Sequence, residues 1–578
     1  MSATATRASI GPRQPLFHFP TFLMALAALA GHGATVRAAC TVLAAQYSIR
    51  TSRDPGRATV LIRNGGKEPV HVVRLLLDGT LLPAFGIDEG SPTPKAPADP
   101  AKAMAAARVT WARLDPHPIA PGRSACLRIQ FRARPAYPFR LDLLGHGTLA
   151  ARCKVFPVPH PLRITNIACD EGLTVICIHV ENASSQPEKL KALELNDKDV
   201  TARTWRSAAV LAAHAKELFV LRAPGLRAGD AAAVRVIFDS GRSAVGAVRL
   251  LPVFPIVSER GDVCPDLGIL ETQANWPPSA SAEAPAIPRS ASAVRIFSCP
   301  SHARGDDWGA VAGESLRRGA VMARRAPRVP AYLAVCRSRS DLACPVFAGL
   351  ADAAFLNPCL PQYSRRGPAD PLDAVTRGMA LLRDANAPAP CFALVAAHAF
   401  GDAKHPLSAA ELRRLTYATL ACGARGLIYR VAPSRLTPRT TDALRQINEK
   451  VRPLRPLFLL AEPMDWASST NRQVLPRVLL AGRDGLLLFL LNAGDGKGRL
   501  TAAGPAQVSV RIPPWLASLR LSPESDRFDG TATVEERRIL VKVNRFITAA
   551  LLVFRVEGAR GSGPPGSLPR PEGREAGP

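Results

Sequence analysis

Residues 407–429, LSAAELRRLTYATLACGARGLIY, decide the reading of the fold. Ser408 and Glu411 stand three apart, the spacing at which a hydroxyl and a carboxylate each satisfy the other residue's free backbone N–H. Leu412, Leu415, Thr419 and Cys422 then recur at helical spacing, Gly423 supplies a stop, and Gly426-Leu427-Ile428-Tyr429 opens a short apolar strand. Helix, glycine turn and strand in that order make the repeating unit of a parallel sheet with helices outside it.

The neighbouring segments continue the alternation. Strands are expected at 294–297, 331–336, 346–355 and 391–397, with helices over 308–323 and 370–385. Asp370-Pro371 and Thr437-Pro438 each place an N-cap before a proline at the first helical position. Leu444, Ile447, Val451 and Leu454 give the helix after Thr437 its buried stripe. The segment 293–465 is well short of the ~250 residues of an eight-fold barrel. The expectation is therefore a short or incomplete (β/α) barrel of five or six strands.

Outside this segment the pattern is all β. Residues 40–152 and 153–260 alternate short apolar runs with turn signals, among them Asp78-Gly79 and Asn196-Asp197, and each reads as a β-sandwich. A proline-rich linker covers 261–292, a C-terminal β-sandwich 466–557, and a tail without core-forming residues 558–578. In the last sandwich, Asp484-Gly485 between two apolar runs is a hairpin signal. The fold class is multidomain, α/β plus all-β: two N-terminal sandwiches, the incomplete barrel, and a C-terminal sandwich.

The chain has 578 residues, 47% hydrophobic and 21% charged, an ordinary globular balance. Its net charge of +27 does not mark a nucleic-acid partner, because the arginines are spread through every segment and aromatics are only 6%. Arg7 and Arg13 precede the apolar run 19–31, and Val36-Arg37-Ala38 offers small residues for cleavage, so 1–39 reads as a secretory signal. No later run is long enough to span a membrane, and the expected location is secreted, periplasmic or on the cell surface. Cys40 would suit lipid attachment, but Arg37 occupies a position where such a site wants an apolar residue. None of the 12 cysteines forms a Cys-x-x-Cys pair, and Cys177, Cys336, Cys391 and Cys422 fall inside apolar patterns as small buried hydrophobes.

The segment 407–429 resembles a late portion of glycoside-hydrolase barrels, where a helix carrying a Tyr (Tyr417) and an alanine-rich run lead to Gly-Ala-x-Gly (Gly423–Gly426) and an apolar strand ending in an aromatic (Tyr429). The two N-terminal units resemble the immunoglobulin-like modules of secreted bacterial carbohydrate proteins. The resemblance implies a polysaccharide partner and groups gathered at the carboxyl ends of the strands. The candidate catalytic pair is Asp352 and Asp402, since glycoside hydrolysis needs two carboxyl groups facing one bond. Trp308, Asn357, His398, Tyr429 and Arg430 are the candidate ligand-binding residues. His398, Asp402 and His405 lack the helical i,i+4 spacing of common zinc sites, so neither metal nor cofactor is expected. No Glu stands at a strand end as in retaining barrel glycosidases, and this leaves hydrolysis and binding alone both open. A non-enzymatic scaffold or adhesion protein is the alternative.

Overall fold

The computed structural model describes residues 40–49, 54–82, 109–145, 148–222, 226–258, 264–269, 295–298, 331–336, 352–357, 371–397, 407–431, 436–495, 500–516 and 518–557, with backbone alone at 295–298, 331–336, 355–357 and 371. The expected signal segment, the helix over 308–323, the C-terminal tail, and Trp308, His398 and Asp402 lie outside the described residues.

The centre is a parallel sheet of six strands: β1 (Ile256–Ser258), β2 (Arg295–Ser298), β3 (Ala331–Cys336), β4 (Ala353–Asn357), β5 (Cys391–Ala396) and β6 (Leu427–Arg430). Their order is β1-β6-β5-β4-β3-β2. Each of β2 to β6 pairs with its sequence neighbour, while β1 pairs with the last strand. Two expectations need correction. Ile256–Ser258 belongs to this sheet and not to the second sandwich; three residues carry no periodicity, and only pairing with β6 reveals the sheet they belong to. β4 runs over Ala353–Asn357 rather than 346–355 among the described residues, which leaves Asp352 ahead of the strand.

Where its side chains are described, both faces of the sheet are covered, as parallel sheets require. Ile256, Cys391, Ala393, Val395, Leu427 and Tyr429 face the helices, and Val257, Ala353, Phe392, Leu394 and Ile428 form a separate cluster on the other side. The helices are α1 (Pro371–Asn386), α2 (Ala409–Ala421), α3 (Pro438–Val451) and α4 (Arg455–Leu460). The capping box of α2 is realised: the Glu411 N–H donates to Ser408 Oγ (3.2 Å), and the Ser408 N–H donates to Glu411 Oε2 (2.9 Å). Thr437 caps α3, whose Leu444, Ile447 and Val451 are buried with Leu454 just beyond. Gly426 lets β6 approach: a Cβ there would lie 2.6 Å from the Phe392 ring and 2.7 Å from Pro255.

Three two-sheet antiparallel sandwiches flank the parallel sheet. The hairpin turns at Asp78-Gly79 and Asn196-Asp197 adopt the positive φ that tight hairpins demand. Each sandwich contains an eight-residue strand ending in a wholly buried asparagine: Arg57–Asn64, Val175–Asn182 and Gly485–Asn492. The three side chains do the same work. Each Oδ1 accepts the N–H two residues on, at 2.8, 2.9 and 2.7 Å respectively. Each Nδ2 donates across the end of the sandwich, to Glu68 and Ile119, to Gln186 and Ala212, and to Thr501 and Ile547. The repetition marks a shared construction that the apolar pattern alone does not show.

The third sandwich is joined to the centre. Leu486, Leu488 and Leu490 enter its own core, while Leu487, Phe489 and Leu491 enter the core made by α1 to α4 and the parallel sheet. All eight residues of that strand are buried. The eight described cysteines whose side chains are placed are free thiols, Cys177, Cys391 and Cys422 among them being buried. Cys40 is also buried, in the first sandwich core. Among the described residues no helix is long and apolar enough to cross a membrane.

Asn492→Ala removes the donor that three carbonyl groups share and the acceptor for Gly494. The expected loss is about 3 kcal/mol, because buried polar groups lose partners. Urea denaturation followed by tryptophan fluorescence checks it, and a loss under about 1 kcal/mol contradicts the role given to this side chain.

Candidate functional site

The carboxyl edge of the parallel sheet holds Asn357 at the end of β4 and Tyr429-Arg430 at the end of β6. Tyr429 does not face a ligand. Its ring is buried against the helices, and its hydroxyl donates to Asn448 Oδ1 of α3 at 2.7 Å. Burial pushes its pKa up. Arg430, one residue further on and on the opposite face by strand alternation, is partly exposed at the edge.

Asp352 sits at the other, amino edge. Arg113 Nη2 of the first sandwich donates to its Oδ1 at 2.8 Å, and Arg249 Nε of the second sandwich lies 3.5 Å away. Asp115 completes the network, 3.0 Å from Arg113 and 2.6 Å from Arg249. Burial works against an ionised Asp115, but the guanidiniums of Arg113, Arg249 and Arg128 outweigh it and hold its pKa down. Asp352 thus clamps three units together at a buried seam. That geometry does not suit an acid facing a glycosidic bond.

A second set of polar groups converges in a cleft of about 1410 Å³ between the second sandwich, the end of α1 and the third sandwich. At its base Glu462 is buried, takes a hydrogen bond from Lys216 Nζ at 2.7 Å and another from Thr165 Oγ1 at 3.3 Å. Burial opposes its charge, yet Lys216, His179 and Arg383 prevail and bring its pKa to about 2. His179, on the outer face of the second sandwich, is wholly buried, and neither ring nitrogen has a hydrogen-bond partner. Burial takes its pKa down to about 4. Glu217 also lines the cleft and accepts from Ser207 Oγ; burial raises its pKa.

The opposite wall is the edge of the third sandwich. Trp466 and Trp515 are partly buried there, Trp515 meeting Trp205 edge to face at 5.1 Å, with Arg483 stacked 4.3 Å from the Trp205 ring. Ser468, Ser509, Arg511 and Arg538 share this wall. No motif announces the cleft, since its lining comes from strands and loops near 163–218, 383–387, 462–480 and 509–538. The two tryptophans, each beside prolines or acids in Pro463-Met464-Asp465-Trp466 and Pro513-Pro514-Trp515, were the one visible signal. Among the described residues no group of three or more His, Cys, Asp or Glu is placed to hold a metal.

No protein-family model and no curated protein matches the chain. Among solved structures it is similar to a cycloisomaltooligosaccharide glucanotransferase of Paenibacillus sp., at 8% identity and a TM-score of 0.33 over 68% of this chain and 99% of that one. It is also similar to an Anoxybacillus alpha-amylase, at 9% identity and a TM-score of 0.27 over 46% and 60% of the two chains. A third similarity is to a Bacteroides ovatus protein of a mixed-linkage glucan utilization locus, complexed with a mixed-linkage heptasaccharide, at 9% identity and a TM-score of 0.12 over 34% and 52%. These neighbours are named for acting on or binding carbohydrates, but likeness at such TM-scores carries no argument about this chain.

The base of the cleft makes stability pH-dependent. A free imidazole titrates near 6.5 and the folded His179 near 4, so on acidification the unfolded chain takes up this proton first. The His179 contribution to stability is therefore full above pH 6.5 and falls as pH drops from 6.5 toward 4, by at most about 1.4 kcal/mol per pH unit. Glu462 adds a second loss between 4.5 and about 2. Urea midpoints measured across pH 4–6.5 should fall less steeply in His179→Leu than in the unaltered protein; parallel slopes would refute the assignment.

Proposed function

We propose that this chain is an exported carbohydrate-binding protein that holds a segment of a polysaccharide in the cleft between its second and third sandwiches. One observation carries the reading. Two partly buried tryptophans, Trp466 and Trp515, stand on one wall of a polar cleft of about 1410 Å³. A sugar ring has an apolar face edged by hydroxyls, and it needs a flat aromatic surface beside hydrogen-bonding groups. Pockets that combine apolar rings with a few fixed polar groups are the usual form of a ligand site. Ser207, Ser468, Ser509, Glu181 and Asp384 are such groups here.

In this reading the parallel sheet is a scaffold related to a (β/α) barrel. β1 pairs with β6 and the other strands follow in sequence, so five of the six joins of a closed ring are made among the described residues. Export rests on the N-terminal pattern Arg7, Arg13 and the apolar run 19–31. The proposed candidates Asn357 and Arg430 belong to the scaffold's carboxyl edge, where a second stretch of glycan could be met, with Trp308, His398 and Asp402 as sequence-based expectations.

The test is a glycan array followed by calorimetry. Trp466→Ala is expected to weaken binding of the best glycan about tenfold, the equivalent of one lost aromatic contact. Trp515→Ala should do the same with the fold intact by circular dichroism. Binding unchanged in both variants, or no binding by the unaltered protein, removes the reading.

Hydrolysis is the second reading, favoured by Glu217, whose raised pKa in the same cleft is the property a general acid needs. If the protein releases reducing ends from its glycan, Glu217→Gln should abolish the release and spare binding. Undiminished release in that variant rules Glu217 out.

A further inference from the structure

We propose that the cleft recognises an acidic glycan, one carrying carboxylate or sulfate groups on its rings. The inference rests on the binding reading above and names its substrate class.

The argument starts from strand register. In the outer sheet of the third sandwich, Ser468 lies opposite Ser509, and Arg511 lies opposite Arg538. Ser509 and Arg511 are two residues apart, so the hydroxyl pair and the guanidinium pair occupy the same face in successive rows. Val508, Val510, Ile539 and Val541 point the other way, into the sandwich core, which confirms that these polar side chains face out. All four line the cleft, and Arg537 joins them from the preceding turn. The Trp466 carbonyl accepts the Arg511 N–H at 2.9 Å, fixing the tryptophan beside the row.

Residues directly opposite on antiparallel strands have Cβ atoms about 5 Å apart, and like charges there repel. The other cations of this cleft are matched: Arg163 with Glu181 at 2.8 Å, Lys216 with Glu462 at 2.7 Å, and Arg383 with Asp384 at 2.9 Å. Arg511, Arg537 and Arg538 form no ion pair among the described residues. Glu535 is opposite Arg538 on the next strand, but the two do not pair. Three unmatched guanidiniums beside an indole and two hydroxyls make a wall whose charge is left for a ligand. Guanidinium forks bind carboxylate and sulfate oxygens two at a time, while the indole covers the ring face. A neutral glycan would use the indole and hydroxyls and leave the arginine pair uncompensated.

Because the whole chain is strongly basic, the test uses short oligomers and a matched charge control. Calorimetry at about 0.15 M salt, where the screening length is about 8 Å, compares a galacturonate hexamer, its fully methyl-esterified neutral form and a sulfated galactan hexamer. An acidic hexamer is expected to bind about tenfold more tightly than the ester, as one or two charge-assisted contacts imply. Arg511→Gln/Arg538→Gln should lose that preference and keep the ester's affinity, which shows the cleft intact. Arg63→Gln/Arg203→Gln, removing two exposed arginines outside the cleft, should change it less than about twofold. The stronger of the galacturonate and sulfated oligomers identifies the anion. Equal affinity for acid and ester, or equal losses in the two double variants, overturns the proposal while glycan binding stands. Failure to bind any hexamer or any glycan on the array overturns both.

Discussion

A strand that is apolar on both faces must be covered on both, and Gly485–Asn492 imposes that condition on this protein. Its even residues close the third sandwich and its odd residues close the core beneath α1 to α4. The two units cannot separate without exposing leucines on one side or the other, each side chain contributing about 1.5–3 kcal/mol when fully buried. Polar groups finish the join. Arg414 of α2 donates from Nη1 to the Asn492 carbonyl at 3.1 Å, and the Tyr417 hydroxyl donates to Asp526 Oδ2 at 2.9 Å. Asp526 also accepts the Leu551 N–H at 2.9 Å, so the tyrosine is tied to the sheet through a residue that already orders it.

The remaining seams are held by buried charge. Arg113, Asp115, Arg249 and Asp352 unite the two N-terminal sandwiches with the parallel sheet, and Lys216, Glu462 and Thr165 unite the second sandwich with the start of the third. Buried ions are costly alone and tolerable when matched, so each network is a condition on how the units meet. They act by orientation: an apolar seam can slide, whereas an arginine held by two carboxylates cannot.

The cleft follows from the same constraint. Once the third sandwich is fixed to the helices and the Glu462 seam fixes the second sandwich, the space between their edges has a set shape. One wall then carries Trp466, Trp515 and the arginine row, and its base carries His179 and Glu462. Rigid walls reduce the ordering cost of binding a flexible ligand, because the protein side is already arranged. The unpartnered His179 imidazole remains neutral there because burial disfavours its charged form.

Local chemistry was legible in the sequence wherever it acts within a few residues. Ser408 and Glu411 capped their helix, Thr437-Pro438 began another, Asp78-Gly79 and Asn196-Asp197 turned their hairpins, and the alternating apolar runs became strands. These outcomes depend on backbone dihedrals and spacing that neighbouring residues set. What could not be read were pairings between distant segments. Nothing in Ile256–Ser258 says that it will lie beside Leu427–Arg430, and nothing near Asp352 says that Arg113, 239 residues away, will neutralise it. Tyr429 read as an edge aromatic and turned inward because Asn448 offered its hydroxyl a partner. The sequence by itself determined the helix caps, the hairpin turns and most of the strands. Tertiary structure alone decided which carboxylates are seam ions and which walls meet in a cleft, because both depend on the burial and charge of residues brought together only by folding.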